Sequence, residues 1–366
     1  MFDLPAPQDP HPPIGRSRHP YFMHDMIRRQ SVAVHATCRA TLETLREKPV
    51  APPARRLLFV GLGTSFHAAL AAADDAGRRF FGRWEVFART SFDLIEDPSV
   101  VGPETLAVVF SASGDTALTL HAQKLLAERG SPNLLISAHD GSPSAEIAMR
   151  TILTRYADET SWTHTASYSS ALVAAQILFE SWEGDVPNAD GREDEFADAV
   201  NQSLALENPM VEVADDFTSQ KQFVVLGSGA AEPAAREGAL KLREATGRFS
   251  TSVGVEEFLH GVIPSINDRT AVVALAATPL QRARALQGLA AAREVGAKTL
   301  LVDASGGAAE HGVLAIPPAP RPFPAVRLAI PVQLLAYWMA VSEGHNPDVM
   351  GLDDARTLAA RRSFGI

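Results

Sequence analysis

The chain has a single cysteine, Cys38, in 366 residues. No intrachain disulfide and no cysteine-based zinc cluster can form, and a cytoplasmic setting is the expectation. Basic residues are also in short supply. Lys and Arg number 33 against 43 Asp and Glu, for a formal net charge of −10, which argues against a nucleic-acid partner or a polybasic membrane contact. Long apolar runs are missing too. No stretch is expected to reach the ~18 residues of a spanning helix; the longest candidate, Leu328 to Val341, is broken by Pro331 and Gln333. Prolines and two early charges of opposite sign take the place of an apolar signal core, so no targeting segment is expected. What the chain does have is apolar content: hydrophobic residues make up 46%, enough for the roughly two domains that its length suggests.

It also has an internal repeat. Leu57-Leu-Phe-Val-Gly-Leu-Gly63 returns as Phe223-Val-Val-Leu-Gly-Ser-Gly229, a shift of 166. Ala107-Val-Val-Phe110 returns as Ala271-Val-Val-Ala274, shifted by 164, and Asn133-Leu-Leu-Ile-Ser-Ala138 as Thr299-Leu-Leu-Val-Asp-Ala304, shifted by 166. Each is a short apolar run ending in small or polar residues, the pattern of a buried parallel strand entering a ligand-facing loop. Three such strands in fixed order, given twice, predict a duplicated α/β unit. The loops after them are where chemistry is expected.

The chain divides accordingly. Residues 1–20 form a Pro-rich tail expected to be mobile, and 21–52 a helical segment, as one helix or a pair. The first α/β domain covers 53–184 and the second 195–342, with turn residues from Gly184 to Asp194 as the linker. A helix near 195–207 opens the second half, and a proline-dense loop covers 317–324. Leu328 to Val341 reads as a buried helix with its proline in the first turn. Residues 343–366 form a C-terminal tail, either frayed or acting as a lid.

Four constellations carry candidate chemistry. Gly61-Leu-Gly63-Thr64-Ser65-Phe-His67 lies between a strand and an Ala-rich helix, where free N–H groups, dipole and hydroxyls can hold an anion; Ser65 could equally just cap the helix. Ser111-Ala-Ser113-Gly114-Asp-Thr116 repeats that placement with three hydroxyls. These suit a phosphate monoester, whereas capping by Ser113 or Asp115 would use two residues at most. No Gly-Lys-Ser/Thr follows, which excludes a nucleotide P-loop. In Glu237-Gly-Ala-Leu-Lys241-Leu-Arg-Glu244 the spacing puts Glu237, Lys241 and Glu244 on one helical face, either a solvated face of ion pairs or a carboxylate base beside a cation. Val255-Glu-Glu-Phe-Leu-His260-Gly261 adds a histidine that is structural or catalytic.

Taken in order, with Gln333-Leu-Leu-Ala-Tyr337, these patterns resemble the sugar isomerase (SIS) family. The likeness is to the double-SIS proteins related to the isomerase half of glutamine:fructose-6-phosphate amidotransferase, over residues 21–350. The resemblance implies two tandem SIS domains, each a five-stranded parallel sheet flanked by helices in a flavodoxin-like three-layer sandwich, assembled as homodimers. It implies that Gly63, Thr64, Ser65, Ser111, Ser113, Gly114 and Thr116 hold a sugar phosphate. It makes Glu244 the base between C1 and C2, Lys241 the lysine near the carbonyl, and His260 the ring-opening histidine, supplied by the partner subunit. No metal or cofactor is called for.

Departures from the family pattern bear on the substrate. No glutaminase half with an N-terminal cysteine is present in the sequence. Glu159-Thr-Ser-Trp162-Thr-His164-Thr165 stands where the amidotransferase has Glu-x-x-Val-x-Ser-Thr-Lys, placing Trp162 and His164 against the sugar; it is closer to the Thr-Ser-Ser-Phe style of galactosamine-phosphate deaminases and isomerases. The active-site lysine of the family's C-terminal tail is absent, with Arg356 the nearest basic residue. Glu256 to His260 resembles a stretch of fructosamine-6-phosphate deglycases. The expectation is a phosphosugar isomerase/deaminase acting on a 6-phosphorylated amino sugar or fructosamine through an enediol or enolamine. The alternatives are a plain aldose–ketose isomerase and a non-catalytic phosphosugar-binding regulator. Glu244, Lys241 and His260 together argue against the regulator, which would need no base.

Overall fold

The computed structural model describes residues 15–184, 191–319 and 324–363. Residues 1–14 of the expected tail, 185–190 of the expected linker and 320–323 of the proline-dense loop lie outside the described residues. The described end of the tail is fastened. The Arg16 guanidinium donates to the Pro20 carbonyl, and His19 Nδ1 lies 2.7 Å from Tyr337 Oη.

One helix, α1 (Phe22–Glu47), precedes the first sheet. The first half then runs β1 (Arg56–Gly61), α2 (Thr64–Arg79), β2 (Glu85–Thr90), α3 (Ser91–Glu96), β3 (Thr105–Phe110), α4 (Ala117–Glu128), β4 (Asn133–Ser137), α5 (Pro143–Ile147), β5 (Arg150–Leu153) and α6 (Ala166–Trp182). Two helices, α7 (Arg192–Leu204) and α8 (Glu207–Phe217), lead to the second half. It comprises β6 (Gln222–Leu226), α9 (Glu232–Thr246), β7 (Phe249–Val253), α10 (Val255–Glu257), β8 (Thr270–Ala276), α11 (Pro279–Glu294), β9 (Lys298–Asp303), β10 (Val313–Ala315) and α12 (Pro324–Ser342). A short helix, α13 (Ala355–Arg361), lies near the C-terminus.

Each half holds a parallel five-stranded sheet. The orders β2-β1-β3-β4-β5 and β10-β9-β8-β6-β7 are one topology written from opposite edges. It is the flavodoxin-like order, whose crevice opens where the first and third strands diverge. Phe59 pairs with Val108 and its counterpart Val225 with Val273, so the structure aligns β3 with β8 at a shift of 165, one residue from the shift read in the sequence. The central strands β3 and β8 are buried throughout, as expected of strands covered on both faces.

The three repeated segments are β1, β3 and β4 and their counterparts β6, β8 and β9. The proline expectation is corrected. Pro331 lies inside α12, not in its first turn, because the helix begins at Pro324. Pro331 has no N–H for the Arg327 carbonyl one turn earlier. The expectation that no stretch is long and apolar enough to span a membrane also needs correction. The 19-residue α12 reaches that size by length and composition, and 83% of its apolar window is buried inside the protein. It packs on α9 and α8, which makes it a core helix. A buried relay joins the core helices: Ser169 on α6 donates to Gln30 on α1, and Gln30 Nε2 donates to Gln333 Oε1 on α12 at 2.9 Å.

Candidate active site

The first crevice is built by two strand-to-helix turns. Gly61 ends β1 where a Cβ would stand 2.6 Å from the backbone of Ser65, so only glycine lets α2 start this close to the strand. Gly63 takes φ +53° at the N-cap of α2, and no side chain caps that helix. Ser65 is the second residue of the helix, so the N-cap position belongs to Gly63 and not to Ser65. Gly114 (φ +73°) backs onto the Ser142 side chain, again with no room for a Cβ. No side chain caps α4 either, although Thr116 stands at its N-cap.

Between these turns is a cleft of about 280 Å³. Hydroxyls line it from five places: Thr64 and Ser65 on α2, Ser111 after β3, Ser137 at the end of β4, Thr154 after β5, and Ser167 on α6. Of the expected phosphate ligands, the cleft thus gathers Thr64, Ser65 and Ser111. Ser113 and Thr116 are not among its lining residues; Ser113 is exposed and its hydroxyl donates to Asp115. Ser137, Thr154 and Ser167 were not anticipated. Ser137 did carry a signal, since it ends one of the repeated strands.

The Glu237–Lys241–Glu244 face is not a solvated one. Glu237 and Lys241 are fully buried, and the Glu244 side chain is 11% exposed. Lys241 Nζ lies 2.5 Å from Glu244 Oε2, 3.4 Å from Glu237 Oε1 and 3.0 Å from Thr64 Oγ1. Thr64 donates to Glu237 Oε1 at 3.2 Å, and His67 Nδ1 lies 2.8 Å from Glu237 Oε2. Residues of α2 and α9, from opposite halves of the chain, therefore form one network. Thr64 belongs both to it and to the cleft, which joins anion site and charge cluster. Glu237 and His67 were not on the list of expected site residues.

Burial sets the electrostatics. It pushes the Glu244 carboxyl above its ordinary value, and Lys241 only partly reverses this. Burial also works against Glu237, but Lys241 and His67 outweigh it and hold that carboxyl below the ordinary range. Burial pulls Lys241 down; Glu237 and Glu244 overcome this and hold it above its ordinary value. Glu237 is thus a fixed anion, Lys241 a fixed cation and Glu244 the more readily protonated carboxylate. That division suits proton transfer.

His164 joins the cluster through its field. Burial, reinforced by Lys241, lowers it to about 4, so its imidazole is neutral near pH 7. Trp162 lies on the same loop, which is tied to the C-terminal segment. Trp162 N donates to the Asp348 carbonyl at 3.0 Å and Thr163 Oγ1 to the Pro347 carbonyl at 2.6 Å. The Asp348 carboxylate in turn accepts from Phe22 N and Met23 N at the start of α1. The basic residue that reaches Trp162 is Arg361 on α13, with its guanidinium 5.9 Å from the ring centroid, rather than Arg356.

His260 stands apart from this cluster. It occupies a π-turn over Phe258–Val262, its side chain is 80% exposed, and its ion-pair partner is Glu256 at 3.7 Å. Glu256 is held by Arg284. The described residues contain no group of three or more His, Cys, Asp or Glu suited to a metal ion.

Comparison with known proteins adds three findings. The SIS domain family matches residues 53–181 and 216–343. The glutamine–fructose-6-phosphate aminotransferase (isomerizing) of Pyrococcus horikoshii is 28% identical over 302 residues, covering 80% of this chain and 50% of that protein. The chain spans about half the length of the curated relatives it matches. Among solved structures, the tagatose-6-phosphate ketose/aldose isomerase of Escherichia coli superposes with a TM-score of 0.76 at 20% identity, covering 90% of this chain and 95% of that one. The glucosamine-6-phosphate deaminase of Thermotoga maritima superposes with 0.72 at 23%, covering 89% and 96%. At these identities the structures speak for the fold.

Proposed function

The chain belongs to the SIS-domain family, and from that premise we propose that it is a cytoplasmic, homodimeric enzyme that isomerises a 6-phosphorylated amino sugar or fructosamine with loss or gain of the amine. One observation carries the reading. A carboxylate with a raised proton affinity, Glu244, lies 2.5 Å from a buried lysine that shares Thr64 with a hydroxyl-lined cleft. A binding module would need the cleft and not the base.

The phosphate sits against Ser65 and Ser111 at the N-terminus of α2, where dipole and free N–H groups favour an anion. That anchor fixes the open-chain sugar and turns binding energy into orientation. Glu244 takes the proton from the amine-bearing carbon, C2 of an amino sugar or C1 of a fructosamine, and returns it to the neighbouring carbon. The resulting imine is hydrolysed by water, which breaks the C–N bond, releases the amine and leaves a carbonyl. Lys241, kept cationic by Glu237, stabilises the oxyanion that develops on the carbonyl. Trp162 and His164 face the sugar from the loop before α6, His164 as a neutral donor or acceptor. His260, exposed in its own chain, opens the ring in the site of the partner subunit.

The test is incubation with 6-phosphosugars and fructosamine 6-phosphates, following amine release separately from the sugar product, a ketose from an amino sugar or an aldose and an aldose from a fructosamine. Release of both products from one substrate is expected. Ketose without amine release reduces the activity to aldose–ketose isomerisation. Saturable binding without turnover makes the protein a phosphosugar-binding regulator and overturns the assignment of Glu244.

A further inference from the structure

Glu159 lies in the loop before α6 and has no part in the reaction just described. Its Oε1 accepts from Thr165 N at 2.7 Å and from Ser167 N at 2.8 Å. These are two of the free N–H groups that open α6. Its Oε2 is buried and bonds no described residue. Burial pushes this carboxyl up to about 7, against the pull of both backbone donors, of the Ser167 side chain and of Lys241. An acid in such a place is unfavourable unless the arrangement it holds matters.

What it holds is a wall of the cleft. The first turn of α6 contributes Ser167 and Tyr168 to the lining. Tyr168 Oη and Thr165 Oγ1 in that turn are themselves buried without partners, and Tyr168 lies within the field of Glu237. The turn therefore presents polar atoms that the protein leaves unbonded, beside the hydroxyls that face the anion. Thr165 makes no side-chain cap, so the capping of this turn falls to the two bonds to Glu159.

We infer that Glu159 is a positioning residue for the phosphosugar site: through Oε1 it fastens the first turn of α6, and with it the Ser167–Tyr168 wall of the cleft, in the geometry that receives the ligand. This rests on the phosphosugar reading above. All of the fastening passes through one oxygen, so reach matters and charge does not. Gln keeps the reach and one acceptor oxygen; Asp keeps the charge but is one methylene short.

The experiment measures binding of fructose 6-phosphate by calorimetry to wild type, Glu159→Gln, Glu159→Asp and Glu159→Ala, well below each variant's melting temperature. Glu159→Gln should bind within about threefold of wild type, whereas the Asp and Ala variants should bind on the order of tenfold or more weakly, as expected when the two hydrogen bonds that hold the wall are lost. If the Ala variant does not fold, the Gln–Asp pair decides alone. Equal affinity in every folded variant, with only the melting temperature changed, makes Glu159 a purely structural cap and overturns the inference. An affinity loss in Gln with Asp near wild type assigns the effect to charge, and an equal loss in both shows that reach does not account for it; either result also overturns the inference. If wild type binds neither fructose 6-phosphate nor any other 6-phosphosugar, the functional reading falls first and this inference with it.

Discussion

The two halves share a topology and a repeated strand–turn–helix, yet their crevices differ. After β1 and β3 the hydroxyls of Thr64, Ser65 and Ser111 line an open cleft. After β6 and β8 Gln281 bridges the two loops: its Nε2 donates to the Ser228 carbonyl at 2.7 Å and its Oε1 accepts from Ala277 N at 2.8 Å. The hydroxyls of the second half are consumed locally: Ser228 Oγ accepts from Val255 N, and Thr278 Oγ1 caps α11 through Gln281 N. The glycines do not separate the halves. Gly61 and Gly227 both lie where a Cβ would strike the following helix. The glycine thus serves strand–helix packing in each copy, while the difference lies in the number of hydroxyls gathered on one cleft in the first half. The second copy supplies α9 and its charged face instead. On the proposed function, duplication divides anchoring from proton transfer.

The comparison breaks most sharply at Glu244. Glu244→Gln keeps shape and removes basicity, so turnover should fall by about 10²–10⁴ with affinity largely retained. Gln281→Ala in the second crevice should leave turnover within a few-fold of wild type. Near-normal steady-state rates for Glu244→Gln would return that helix face to an ion-pair role.

The next effect is on binding. Ser65→Ala and Ser111→Ala should each weaken every 6-phosphosugar by about 1.5–3 kcal/mol, the range for a hydrogen bond to a charged group. Ser228→Ala, in the loop after β6 of the second half, should not change affinity, because that hydroxyl accepts from Val255 N. Ser113→Ala should also have little effect, because that hydroxyl lies outside the cleft and bonds Asp115. Titrations showing the same loss for Ser228 as for Ser65 would erase the distinction between the crevices.

A smaller but more specific signal comes from mixing subunits. If His260 serves the partner's site, inactive Glu244→Gln and inactive His260→Ala chains should complement each other. Random exchange makes about half the dimers mixed, each with one intact site, for up to about a quarter of wild-type activity. No recovery after demonstrated exchange would confine His260 to its own chain or remove it from catalysis.

These contrasts were unevenly legible in the sequence. The central strands were readable because burial on both faces makes them apolar runs. Of the edge strands, β7 reads Phe-Ser-Thr-Ser-Val with only Ser250 buried, and β10 has three residues; neither has a pattern distinguishable from a loop. The spacing of Glu237, Lys241 and Glu244 predicted a common face. Whether water or Thr64 and His67 would meet that face depended on residues about 170 positions earlier, which no local period encodes. Pro331 was misplaced for a related reason: α12 is held by tertiary packing on α8 and α9, and burial kept a helix that propensity would have started later.

The smallest effect tests the glycines. If Gly61 and Gly227 serve packing in both halves, Gly61→Ala and Gly227→Ala should lose similar amounts of stability, about 1–3 kcal/mol each as for other overpacked sites. The obstacles are alike: a Cβ would meet Ser65 backbone at 2.6 Å in one half and Ala231 backbone at 2.7 Å in the other. Only the first should disturb function, because the backbone shift that relieves it moves Ser65 in the cleft. Denaturant unfolding of the two variants, read beside fructose 6-phosphate affinity, separates these effects. Equal stability losses with weakened binding only for Gly61→Ala would place the difference between the halves in their hydroxyls. A selective stability loss at Gly61, with Gly227→Ala neutral, would mean instead that the backbone itself differs between the copies.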